Sequence, residues 1–130
     1  MVIYDLFLDI LLVSFGAIIG ANTRFIIYRQ FEKLNLNNTF CTLLVNSSAS
    51  FSLGLFVSLF TKIKSLYFTN QLALLFLIGF LGSLSTFSTF IYDVFYLFIR
   101  FKFSRALNLL IISFSLGLIA LLCGFLIGNL

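Results

Sequence analysis

Residues 79 to 90 read Gly79-Phe80-Leu81-Gly82-Ser83-Leu84-Ser85-Thr86-Phe87-Ser88-Thr89-Phe90, inside an apolar run that extends from Gln71 to about Phe98. Two glycines and five hydroxyl residues in these twelve positions interrupt what would otherwise be one continuous membrane helix. Hydrocarbon offers no partner to a freed peptide group, and each unpaired N–H or C=O there costs several kcal/mol. The interruption must therefore be buried in protein or line a polar cavity. Freed carbonyls from Gly82 to Ser85 make a hard oxygen site for a cation. Phe87 and Phe90, three apart, share one face of the resumed helix, where their rings either pack or turn positive edges toward an anion.

The rest of the chain supplies the setting. Its 130 residues are 62% hydrophobic and 9% charged, with no proline, tryptophan or histidine. An ordinary soluble domain carries about 25% charge, so this is an integral membrane protein. Four apolar runs, Leu6–Tyr28, Thr39–Phe60, Gln71–Phe98 and Ala106–Gly128, are each expected to form a spanning helix of one membrane domain covering 1–130. About 20 residues rising about 1.5 Å each suffice to cross about 30 Å of hydrocarbon. The first run does not read as a cleavable leader, because Asp5 and Asp9 stand where a basic region belongs and the apolar stretch is too long. The net charge of +4 falls between the apolar runs and forms no basic helical stripe, which argues for topology and against nucleic acid. Cys41 and Cys123 lie in separate helices, so neither zinc nor redox chemistry is expected. With no phosphate loop, nucleophile–base pair or carboxylate dyad, the chain does not read as an enzyme.

Three further patterns stand out. In the first helix Gly16 and Gly20, four apart, make a small-residue face that lets another helix come close. Arg24 lies one turn further along that face, either snorkelling to the interface or serving a functional surface. In the second helix Thr42, Asn46 and Ser50 recur every four residues and place an amide deep in the bilayer. That amide either bonds a neighbouring helix or donates to an anion. The fourth helix carries Ser113, Ser115 and Gly117, then Gly124 and Gly128 as a second small pair; its serines either line a pathway or bond their own helix.

Gly-Phe-Leu-Gly followed by Ser-Thr-Phe-Ser-Thr-Phe closely resembles the signature of the Fluc (CrcB) family of small fluoride channels, with Ser85 where the first threonine usually stands. Gly16-x-x-x-Gly20-x-x-x-Arg24 is similar to that family's first-helix motif, and Thr42-Leu43-Leu44-Val45-Asn46 to its second. Ala49 departs from the usual glycine, which is expected to widen the helix crossing slightly, and Asp93 fits a position usually held by glutamate. The resemblance covers nearly the whole chain. It implies an all-α antiparallel dimer in which two broken third helices cross at the centre. Backbone carbonyls of Gly82 and Ser85 from both chains are then expected to hold one structural sodium ion. A fluoride pathway of Asn46, Phe87, Phe90, Ser88, Thr89, Thr42 and Ser113 is implied, with Arg24 at the vestibule and Asp93 in a vestibular or structural place. The implied activity is passive export of fluoride across a plasma membrane crossed several times, the inner membrane of a prokaryote.

A proton-coupled small multidrug exporter, also an antiparallel dimer of four-helix chains, is the alternative reading. It needs an acidic residue deep in the first helix, and Asp9, its one candidate, lies too near the start. A non-transporting assembly subunit would explain the packing glycines but not the Phe-Ser-Thr-Phe run. Topology follows from charge. The first and third connections share one side with Arg24, Arg29, Lys33, Arg100, Lys102 and Arg105, against Lys62 and Lys64 on the other; setting Arg24 aside leaves five against two. Positive charge stays inside, so both termini are expected outside the cytoplasm. A chain supplying both halves of an antiparallel homodimer would be nearly balanced, so the bias points to a homologous second chain of opposite orientation as partner.

Overall fold

The computed structural model describes residues 2–35, 37–62 and 67–130; Lys64 of the second connection lies outside them. Among the described residues four helices are long and apolar enough to cross a membrane. The first span is α1 (Val2–Lys33), the second α2 (Asn38–Lys62) and the fourth α6 (Phe103–Asn129). The third is assembled from α3 (Tyr67–Ala73), a π-helical stretch (Leu74–Leu81), α4 (Gly82–Leu84) and α5 (Phe87–Ile99). The helices run beyond the apolar stretches because polar end residues such as Arg29, Glu32 and Lys33 continue the backbone ladder into the interface, where water serves their side chains.

Large apolar side chains such as Leu11, Phe15, Ile18, Ile119 and Leu126 cover the outside, while the interior is filled by Cys41, Thr42, Val45, Ala49, Ser58 and Ala106. This inversion follows from the solvent. Lipid tails give helices no hydrophobic push toward one another, so association depends on small residues that let backbones meet. Two glycine seams do this. Along α1, a methyl on Gly16 would strike the Leu75 carbonyl, and one on Gly20 the Phe80 carbonyl and Ser83 Oγ. Gly79 answers from the other side against the Val13 carbonyl. Between α2 and α6, Gly54 lies on the Leu121 carbonyl, Gly124 on that of Phe51, and Gly128 on Ser58 and the Leu55 carbonyl. The close approach read from Gly16 and Gly20 is thus made to the π-helical stretch, and that of Gly124 and Gly128 to α2.

The helix ends agree with the topology of four alternating spans. Asn37 and Thr39 at the start of α2 line one cavity together with Arg105 and Asn108 at the start of α6. The first and third connections therefore lie at the same end of the bundle.

Candidate functional site

The helix ends at Leu84, and the Ser85 N–H makes its last bond, to the Leu81 carbonyl at 3.1 Å. Ser85 (φ −68°, ψ 152°) and Thr86 (φ −137°, ψ 117°) are extended, and α5 begins at Phe87. Two polar groups exposed by this step find one partner. Asn46 Oδ1 accepts the Thr86 N–H at 2.8 Å, and Asn46 Nδ2 donates to the Thr86 carbonyl at 3.0 Å. The two-point pairing also fixes which end of the amide is oxygen. Thr86 then caps α5: its Oγ1 accepts the Thr89 N–H at 3.4 Å and lies 3.3 Å from Ser88 Oγ and 3.1 Å from Thr89 Oγ1.

This geometry changes what each residue has to offer. The sequence presents Asn46 as a donor to an anion, whereas its carbonyl and one amide N–H are already spent on the chain's own step; one N–H remains. Thr86, only 5% exposed, is the residue that sequence reading overlooks, although a threonine just ahead of an apolar helical run is an N-cap signal.

Capping and bracing free two carbonyls. In an unbroken helix the Gly82 carbonyl would take the Thr86 N–H and the Ser85 carbonyl the Thr89 N–H, but those donors are turned to Asn46 and to the Thr86 hydroxyl. The Ser85 carbonyl instead receives Arg24 Nη1 at 3.4 Å, a long contact that leaves its second lone pair open. Gly82 and Ser85 share a small cavity of about 130 Å³ with Ala49 and Ser50. The oxygens at this cavity are the main-chain carbonyls of the step and the hydroxyls of Ser50 and Ser85. The two carbonyls suit a hard alkali cation but are too few to complete its shell.

The remaining candidates fall into three places. Asn46, Ser50, Phe87, Phe90, Ser113 and Gly117 line an open groove of about 460 Å³ between α2, α5 and α6, and among the described residues no ionisable side chain takes part in its lining. The rings of Phe87 and Phe90 lie 6.2 Å apart at 48°. Arg24, Tyr28, Thr86, Ser88 and Thr89 line a separate, more polar hollow of about 290 Å³ beside α1. Asp93 lines the cavity at the connection end with Arg105. Thr42 joins none of these: it is 2% exposed, its Oγ1 donates to the Asn38 carbonyl at 3.0 Å, and Tyr28 Oη donates to it at 2.9 Å.

The architecture defines a class, a four-span membrane protein whose third span is interrupted by a braced Ser-Thr step and borders a groove without ionisable groups. The chain belongs to the CrcB family: the family model described as CrcB-like protein, Camphor Resistance (CrcB), matches residues 11–125. Two relatives carry the name Fluoride-specific ion channel FluC 2. The one from Prochlorococcus marinus (strain NATL2A) is 51% identical over 121 residues, covering 93% of this chain and 98% of its own length. The other, from a second strain of Prochlorococcus marinus, is 36% identical over 113 residues, covering 87% of this chain and 86% of its own length. Both are named as ion channels, so the relatives are not enzymes.

Proposed function

We propose that this chain forms half of a fluoride-selective passive channel that exports fluoride from the cytoplasm and so lowers its toxicity. The observation that carries the reading is the groove, which gathers Asn46, Phe87, Phe90 and Ser113 with no ionisable side chain among its described lining residues. Fluoride is small and strongly hydrated, so leaving water requires converging donors. The remaining Asn46 N–H and the Ser113 hydroxyl supply them, and the two Phe rings set the width and turn their edges inward. Arg24 with the Ser88 and Thr89 hydroxyls collects the anion in the hollow beside α1. The membrane potential, worth about 2.3 kcal/mol per charge per 100 mV, drives it outward without a coupling ion.

A second chain belongs to the proposal. Phe87 is 75% exposed and the groove is open on its flank, and an anion passing there would face lipid at a high cost. An antiparallel partner laid across the interrupted third span closes the groove and adds its own two carbonyls to those of Gly82 and Ser85. The four oxygens then suit one structural sodium ion, which serves as a fixed positive centre between the chains. The charge bias of the connections favours a homologous partner of opposite orientation, in the plasma membrane.

Reconstituted in liposomes with that partner, the protein should release trapped fluoride quickly and chloride at the rate of empty liposomes. Equal release of both anions, or release that requires a proton gradient, would sink the proposal.

A further inference from the structure

At the connection end a cavity of about 460 Å³ is lined by Asn37 and Thr39 of the α2 start, Asp93 and Tyr96 of α5, and Arg105 and Asn108 of α6. A water's share of liquid volume is about 30 Å³, so the space takes several waters and an ion. It follows the groove along the same three helices: Asp93 stands one turn beyond Phe90, and Ile112 in its wall is next to Ser113 in the groove. An anion entering the groove from the side of the first and third connections passes Asp93.

Asp93 is badly served there. Its Oδ2 is buried and has no hydrogen-bond partner among the described residues. A buried carboxylate oxygen without a donor is costly, and one facing an anion's route repels it. Asn37, Thr39 and Tyr96 bring neutral donors to the cavity, and α6 brings Arg105 and Asn108, three apart and so on one face. Arg100, the neighbouring cation of the connection, is stacked on the Tyr96 ring with its guanidinium carbon 4.3 Å from the centroid, and Lys102 begins α6 as its exposed N-cap. Arg105 is thus the cation that faces Asp93 across the cavity.

We propose that Arg105 and Asn108 are the compensating partners of Asp93 at the mouth of the groove, and that Arg105 keeps this mouth passable to an anion. The inference rests on the groove being the fluoride route. Arg105 acts through Asp93, by cancelling its charge, and is a positioning residue whose effect is electrostatic and screened by salt.

The test is fluoride efflux from liposomes of zwitterionic lipid at low and at high ionic strength, with each variant's assembly checked by size-exclusion chromatography. Arg105→Gln should slow efflux about tenfold at low ionic strength, the lower end of what charge focusing supplies, and much less at high. Arg105→Lys should retain most of the wild-type rate, and Asp93→Asn combined with Arg105→Gln should recover it. Wild-type efflux, with the two charges cancelled, should change little as salt is raised, whereas efflux by Arg105→Gln should rise. Arg105→Gln at the wild-type rate in low salt, or a double variant as slow as Arg105→Gln alone, overturns the inference while leaving the channel in place. A wild-type protein that passes no fluoride overturns the channel reading, and this inference with it.

Discussion

Along α1, Gly16 and Gly20 rest on the carbonyls of Leu75 and Phe80; between α2 and α6, Gly54, Gly124 and Gly128 rest on those of Leu121, Phe51 and Leu55. The contact is the same in both seams, a backbone laid on a backbone because no Cβ intervenes. What lies at the end of each differs. The α1 seam runs on through Ser83 to Arg24, whose guanidinium reaches the Ser85 carbonyl at the step. The seam between α2 and α6 ends in a side-chain bond, Ser58 Oγ to Asn129 Oδ1 at 3.0 Å. Identical packing therefore serves two purposes: one seam positions the interruption, and the other holds two helices together.

Substitutions can break or sharpen that distinction. The largest effect is expected from Asn46→Ala, which strips both partners from the Thr86 peptide at about 1–3 kcal/mol for each unpaired group. Fluoride efflux should drop to that of empty liposomes, while Ser58→Ala at the end of the other seam should keep the wild-type rate. Equal losses in the two variants would erase the difference drawn here.

Intermediate effects are expected from alanine at matching glycines. Gly20→Ala and Gly124→Ala each drive a methyl onto a carbonyl, at about 1–3 kcal/mol of strain. Thermal denaturation in detergent should show both variants destabilised. Efflux per folded protein should fall in Gly20→Ala and hold in Gly124→Ala; a fall in both would mean that the α2 and α6 seam also shapes the route.

The smallest effect is expected from Ser85→Ala. What the step uses at this position is the carbonyl, which alanine keeps, so efflux should stay within about twofold of wild type, less than the tenfold that about 1.36 kcal/mol would produce. A tenfold loss would show that the hydroxyl participates.

Four spans were legible because apolar length is a local signal, and the extended residues Ser85 and Thr86 fall within the stretch marked by glycines and hydroxyls. Asn46, Phe87, Phe90 and Ser113 could be singled out one by one, since a deep amide, a ring pair and a serine are each conspicuous in an apolar helix. Their gathering in one groove was not legible, because it depends on how α2, α5 and α6 are rotated against each other. The same ignorance of rotation hid the pairing of Asn46 with Thr86 and the turning of Thr42 toward Tyr28, away from the groove. The π-helical stretch was hidden for another reason: Leu74–Leu81, which meets Gly16 and Gly20, has the composition of any apolar helix.

The bracing of Thr86 has a consequence for how the chain is made. Asn46 stands 40 residues ahead of Thr86, so it leaves the ribosome first. At about 5–20 residues per second the lead is about 2–8 seconds. When the serine–threonine step reaches the lipid, the amide that serves its peptide group is already there on a finished neighbour. A rearranged gene that placed the third span before the second would present the same contacts in the end, yet would first strand two unpaired peptide groups in hydrocarbon.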